Sequence, residues 1–252
     1  MNLITGVVLV PMIMLSILSR AYAEEWVSII DSSGPIGIAD VGKSITLCGN
    51  IQLDGNSRRL SSVAGSGVVA ILSKADYGDN NNLNSQQSFG DCEVRLEFAI
   101  GKGSNSGIKL QQRYEIQLYD SHGIERPTAT DCGGIYPHWV FGGEGQGLKY
   151  IDEGIPPASN AAKPAGQWQS LQIVFRAPRF NSHGTKTHDA MFVSVVLNGK
   201  EIHRDVRVDS PTGNASTPLH EVPEAPIYLQ MDHGPVAFRN VRVKVLAVTE
   251  QD

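Results

Sequence analysis

The chain has 252 residues, a formal net charge of −5 and a sequence pI of about 5.8, with 41% hydrophobic and 7% aromatic residues. This mildly acidic balance excludes an electrostatic attraction to nucleic acid or to an anionic membrane surface. The length is ample for a sizeable core.

In chain order, Val7 to Leu18 is an apolar run followed by the small-x-small pattern Ala21-Tyr22-Ala23. The run is too short for a membrane span and reads as a secretory signal peptide, although Lys and Arg are missing from the segment before it. The expected organisation is a leader at 1–23 and one domain at 24–252, secreted or periplasmic. Removing the leader takes away one charge, Arg20, and leaves 229 residues at a net charge of −6. No later stretch is apolar for long enough to span a bilayer. Cys48, Cys92 and Cys132 are an odd number, so at most one pair can form. None lies in a C-x-x-C, which argues against a structural zinc site. A Cys92–Cys132 bridge and three small buried hydrophobes are both open readings.

Short β-branched runs separated by Gly, Pro, Asn and Asp dominate the rest. Ser44–Leu53, with an Asp54-Gly55 turn, and Gly67–Leu72 are candidate strands. Asp76–Ser85 is polar and Asn-rich and reads as an exposed loop. Asp91–Ile100 alternates, with Val94, Leu96 and Phe98 on the inner face. Trp168–Arg176 does the same with Leu171, Ile173 and Phe175. Met191–Leu197 and Lys200–Val208 flank Asn198-Gly199, the strongest hairpin signal in the chain. Ile227–Met231 and Val236–Val248 complete the set, and Ala177–Asp189 reads as a long hairpin tip. No segment sustains a period of 3.6. The expected fold is all-β, a two-sheet antiparallel jelly-roll sandwich.

Asn105 to Asp120 stands out: N-S-G-I-K-L-Q-Q-R-Y-E-I-Q-L-Y-D. Ser104 to Gly107 are turn formers. Arg113–Asp120 then alternates, placing Arg113, Glu115, Gln117 and Tyr119 on a polar face and Tyr114, Ile116 and Leu118 on a core face. The polar face suits the lining of a groove, and also suits a plain ion-pair network of Arg113, Glu115 and Asp120. The 47 residues from Ser121 to Gln167 are too many for an ordinary loop. They carry Tyr136, His138, Trp139, Phe141 and Tyr150, with Trp168 next, so an ordered flap is expected. Its aromatics are candidates for stacking on sugar rings or for a small core of their own.

Several blocks occur together in order: Asn105-Ser106-Gly107-Ile108, Tyr114-Glu115-Ile116-Gln117, Asp120, Gly134-Ile135-Tyr136, Gly166-Gln167-Trp168-Gln169, Leu197-Asn198-Gly199, Leu229-Gln230-Met231-Asp232-His233-Gly234 and Phe238-Arg239-Asn240-Val241. In combination they resemble the 3-keto-disaccharide hydrolase family from about Asp91 to Leu246. The resemblance implies a concanavalin A-like jelly roll, a secreted bacterial protein, and cleavage of glycosides whose sugar carries a ketone at C3. It also implies an upstream sugar 3-oxidoreductase as the source of the substrate.

Such a ketone acidifies the C2 proton and lies β to the C1 leaving oxygen. Cleavage then asks for a base, an enolate stabiliser and an acid. Glu115 is the candidate base, His233 a base or an acid, and Arg113 or Lys109 the enolate stabiliser. Asn105, Gln117, Asp120, Tyr136, Trp168 and Gln230 are candidates for holding the carbohydrate. No cofactor is required by the pattern. A divalent metal held by Asp120, Glu115 and His233 is a candidate, though no H-x-H or H-E-x-x-H spacing supports it. Two other readings stay open. One is a non-catalytic carbohydrate-binding module of the same fold. The other is a conventional β-glycanase, since Glu115-Ile-Gln117-Leu-Tyr-Asp120 has the spacing of E-x-D-x-x-E.

Overall fold

The computed structural model describes residues 25–55, 58–73, 81–143 and 146–247. The expected leader lies outside the described residues, as does the 76–80 part of the Asn-rich stretch. Among the described residues there is no α-helix, and no helix long and apolar enough to cross a membrane.

The chain folds as two packed antiparallel sheets. The larger runs in the order β14(Lys200–Val208), β13(Ala190–Leu197), β10(Gln169–Arg176), β5(Cys92–Ile100), β17(Val236–Val245), β3(Leu60–Ile71), β2(Thr46–Leu53). Strand β1(Trp26–Ile30) pairs with the second half of β17, beyond the reach of β3. Asn240, at φ 51°, marks the bulge where β17 changes register against β5. The smaller sheet runs β4(Leu83–Phe89), β16(Ala225–Leu229), β6(Asn105–Leu110), β7(Tyr114–Tyr119).

The core lies between the sheets and follows from alternation. Val94, Leu96 and Phe98 of β5, Leu171, Ile173 and Phe175 of β10, and Phe238 of β17 meet Ile108, Leu110, Ile116, Leu118, Ile227 and Leu229 of the small sheet, all buried. Burying each such side chain contributes about 1.5–3 kcal/mol. Tyr114, Phe175 and Phe192 form a ring contact across the layers, with centroids 5.3 and 5.4 Å apart. The Tyr114 hydroxyl donates to Glu221 at 2.6 Å. All three cysteines are free and buried, so no Cys92–Cys132 bridge forms. Burial pushes the Cys92 and Cys132 thiols up to about 12.

The Asn198-Gly199 hairpin forms as expected, with φ of 53° and 82°. Arg179–Phe180 (β11) and Lys186–His188 (β12) build the expected hairpin tip. Two expectations are corrected. Leu83–Ser85 belongs to a strand, because buried Leu83 and Ser85 alternate with polar Asn82 and Asn84. The bend in the 105–120 stretch falls at Gln111–Arg113, and Asn105–Gly107 are strand. Gln111 and Gln112 carry φ of 54° and 60°, a conformation costly for residues with a Cβ. Side-chain bonds hold them there: Gln111 Nε2 donates to Pro223 O at 2.9 Å, and Gln112 Nε2 to Asn84 Oδ1 at 2.8 Å.

The segment after β7 is ordered and lies along the free edge of β7. Gln117 N donates to Gly134 O at 2.8 Å, Gly133 N to Gln117 O at 2.7 Å, and Tyr136 N to Glu115 O at 3.2 Å. A small sheet, β15(Gly213–Asn214), β8(His138–Phe141), β9(Leu148–Tyr150), rises from it.

His203 on β14 fastens this segment to the large sheet. It is 5% exposed, and its Nε2–H donates to Gly133 O at 2.7 Å. Burial holds its pKa below the ordinary value of 6.5, against the opposing pull of that hydrogen bond. A base depressed in the folded state binds fewer protons folded than unfolded, so its stability contribution is lost as pH falls below about 6.5. Urea midpoints between pH 7.5 and 5 are expected to fall more steeply for the wild type than for His203→Gln. His233 titrates with the opposite sign in both proteins and cancels in the difference.

Candidate functional site

The outer face of the small sheet is built in rows. Lys109 pairs with Glu115, Tyr228 with Lys109, and Asn84 with Tyr228. Ile116 bridges Ile135, so Tyr136 stands beside Glu115 on the same face. One row therefore reads Asn84, Tyr228, Lys109, Glu115, Tyr136. The next carries Gln230, Gly107, Gln117 and Gly134, with Gln230 N donating to Gly107 O at 2.9 Å. Ile108, Leu110, Ile116 and Leu118 leave by the opposite face into the core.

Glu115 is the centre of this surface. Its side chain is only 5% exposed, and Lys109 Nζ lies 3.1 Å from Oε2. The Lys109 ammonium also stands 5.5 Å above the Tyr228 ring. Gly107 makes room for the carboxylate: a Cβ there would come within 2.3 Å of Glu115 Oε1. Gln117 donates to Asn105 Oδ1 at 3.2 Å and to Thr130 O at 3.3 Å, while its Oε1 is buried without a donor among the described residues. Such an orphan acceptor costs about 1–3 kcal/mol until a ligand hydroxyl or water serves it.

His233 follows β16 and overlooks this floor, with 56% of its side chain exposed. Its Nδ1–H donates to Asp232 Oδ1 at 2.5 Å, and Asn82 Nδ2 donates to Asp232 Oδ2 at 2.8 Å. Asn82 is itself fixed by accepting from Met231 N at 2.7 Å. The Asp232 hydrogen bond raises the His233 pKa above its ordinary value, against burial. The negative charges of Asp232 and Glu115 add to the rise, and Lys109 opposes it. Burial would raise Asp232, but the bonds from His233 and Asn82 outweigh it and hold the carboxyl below the usual range. On the far side, Tyr136 Oη lies 2.7 Å from Tyr150 Oη. Burial, the Tyr150 contact and the Glu115 charge push Tyr136 well above the usual phenol range. The site thus offers a buried carboxylate, an ammonium, a half-exposed imidazole whose Nδ1 is engaged by Asp232, and a phenol that stays protonated.

Among the sequence candidates, Glu115, Lys109, Gln117, Asn105, Tyr136, Gln230 and His233 are brought together. Arg113, Asp120 and Trp168 are not. Arg113 falls in the β6–β7 turn, where it donates to His220 O at 2.7 Å and Gln111 O at 2.6 Å. Asp120 accepts from Gly103 N at 2.9 Å at the far end of β7. Five residues of strand put roughly 16 Å between it and Glu115. Trp168 packs on the outer face of the large sheet, donating to Asn50 Oδ1 at 2.8 Å, with the Arg239 guanidinium 4.0 Å over its ring. Arg239 and Asn240 both donate to Glu97 of β5, so this motif ties two strands of the large sheet. The candidate metal set of Asp120, Glu115 and His233 does not converge, and no group of three or more His, Cys, Asp or Glu side chains among the described residues is placed to hold an ion.

Sequence reasoning missed Tyr228 and the pairing of Asp232 with His233. The period-2 alternation Tyr228, Gln230 carried the signal for the first; nothing in the pattern carried the second. A concavity of about 650 Å³ lies on the outer face of the large sheet, lined by Arg95, Arg242, Gln172 and Asp31. Its ionisable lining is Asp31, Glu97, Arg95 and Arg242, with no His, Lys or Tyr among them.

A family model described as a 3-keto-alpha-glucoside-1,2-lyase-like domain matches residues 30–244. Two solved structures from Parabacteroides distasonis ATCC 8503, each called a "putative glycosyl hydrolase", share the fold. One is 21% identical with a TM-score of 0.58, covering 88% of this chain and 84% of the other. The second is 14% identical with a TM-score of 0.55, covering 89% and 96%. No curated protein matches the chain at a significant level.

The glycine under Glu115 provides a test of the ion pair. In Gly107→Ala the new methyl would overlap Glu115 Oε1 and drive the carboxylate off Lys109, so the melting temperature should fall by about 5–10 °C. Turnover of a cleavable substrate is expected to fall about tenfold or more, corresponding to about 1.4 kcal/mol.

Proposed function

Because the chain belongs to the 3-keto-α-glucoside-1,2-lyase-like domain family, we propose that it cleaves 3-keto-glycosides by elimination across C1 and C2. Glu115 abstracts the C2 proton, and the C–H electrons move into the enolate formed with the C3 carbonyl. The Lys109 ammonium, already held at the carboxylate by 3.1 Å, offsets the developing charge. Collapse of the enolate re-forms the C3 carbonyl, makes a C1=C2 double bond and expels the C1 oxygen. His233 Nε2–H gives that oxygen its proton, with Asp232 fixing the proton on Nδ1. Addition of water across the double bond returns the free 3-keto-sugar. Gln117, Gln230 and Asn105 hold ring hydroxyls.

The observation that carries this reading is the buried Glu115 carboxylate, paired with the Lys109 ammonium and overlooked by the His233 imidazole. A two-carboxylate glycosidase needs its pair about 5–9.5 Å apart, and Asp120 lies roughly 16 Å along the strand from Glu115. The apolar leader supports a secreted or periplasmic enzyme, and the chemistry requires a sugar 3-oxidoreductase upstream.

The deciding experiment is NMR in D2O with a 3-keto-glucoside and its unoxidised parent. Cleavage of the keto compound alone, with deuterium entering at C2, is the expected result. Cleavage of the parent would reject the elimination, and binding without turnover would favour a carbohydrate-binding module. Glu115→Gln should lower kcat by about 10²–10⁴-fold with the fold intact.

His233 sets the pH profile. Its raised pKa keeps the acid form present to higher pH, and activity is lost as pH rises through that value. Removing the Asp232 charge in Asp232→Asn should move the alkaline limb of kcat to lower pH, which a rate profile from pH 5 to 9 would record.

A further inference from the structure

The β8–β9 hairpin has one apolar face that the fold does not use. Trp139 pairs with Tyr150 and Phe141 with Leu148, so all four side chains share that face. Trp139 and Phe141 touch edge-on at 5.0 Å. Phe141 is 67% exposed, Leu148 45% and Tyr150 43%. Leaving such residues in water forgoes the stabilisation that burial would give, and a contiguous apolar face of this kind marks a binding surface.

The position of the face says what it binds. Its near end is Tyr150, whose hydroxyl meets Tyr136 at 2.7 Å, and Tyr136 stands beside Glu115. The face therefore continues the row that holds the reacting sugar. Its base is fixed: Asp152 accepts from His138 N at 3.0 Å, His138 Nδ1 at 2.5 Å and Gly154 N at 2.9 Å. On the other edge, β15 pairs with β8. A second sugar would ask for donors and acceptors around its hydroxyls. This face offers few: the Trp139 indole N–H and the Tyr150 hydroxyl, which Tyr136 already engages.

We propose that the hairpin is the leaving-group subsite, and that it selects 3-keto-glycosides with a flat apolar, aromatic leaving group. This rests on the elimination reading above. Stacking of such a group against Trp139, Phe141 and Leu148 supplies binding that a small alkyl leaving group does not obtain.

The test compares phenyl and methyl 3-keto-glucosides, as both anomers, with the wild type, Phe141→Ser and Leu148→Ser. Neither substituted residue touches Glu115, Lys109 or His233. The wild type should show a KM about tenfold lower for the phenyl compound, and each variant should raise that KM while leaving kcat/KM for the methyl compound within about twofold. Cleavage of both compounds with no aryl preference, or variants that impair both equally, overturns the subsite and leaves the elimination standing. Cleavage of neither overturns the elimination. Saturation-transfer NMR with phenyl glucoside then still tests the hairpin, because loss of the phenyl signal in Phe141→Ser is expected and an unchanged signal rejects the subsite. Sedimentation showing a dimer that Phe141→Ser dissolves would assign the face to a second copy and also reject it.

Discussion

The Lys109–Glu115 ion pair is the constraint on which the rest of the site depends. A carboxylate at 5% exposure costs several kcal/mol unless a counter-charge stands beside it. The β6–β7 register supplies that charge by placing Lys109 directly opposite Glu115. Gly107 supplies the space, and the Gly133–Tyr136 segment supplies the cover by pairing with the outer edge of β7. Losing one of these leaves a buried charge without its setting, so the sheet register, a glycine and a long connection are tied to one carboxylate.

The division of labour between the two sheets follows from the same alternation. Each small-sheet strand sends aliphatic side chains into the sandwich and polar ones onto the outer row. The large sheet does the same with less chemistry on its outer face. Its outer face holds a minor apolar cluster capped by Trp168 and Arg239, together with ion pairs such as Glu97–Arg239 and Glu93–Arg95. That asymmetry gives the molecule one face that gathers polar groups around Glu115 and one dominated by packing and ion pairs. It also explains why an aromatic adjacent in sequence to the flap, Trp168, ends up across the sandwich from Glu115.

Much of the fold was legible because alternation and turn chemistry agree in strands such as β5, β10 and the Asn198-Gly199 hairpin. The polar face of β7 was legible for the same reason. The bend before it was not, since two glutamines adopt left-handed φ there with no Gly or Asn to announce it. Shifting the bend to Gln111–Arg113 took Arg113 off the Glu115 face. Asp120 was misplaced by sequence proximity: one strand carries neighbours far apart along its axis. The Asp232–His233 dyad depends on Asn82, 150 residues away, and no local pattern encodes such a contact.

The position of β17 has a bearing on biogenesis. Val236–Val245 runs through the middle of the large sheet, with β5 on one side and β3 and β1 on the other. The β5, β10, β13 and β14 strands can assemble as one block, and β2 with β3 as another, but nothing else joins them edge to edge. Until residue 245 has been synthesised, the growing polypeptide holds two unjoined half-sheets with open edges. Closing non-local pairings of this kind is intrinsically slow. The large sheet is thus completed only in a late step, once β17 is available to join its two halves.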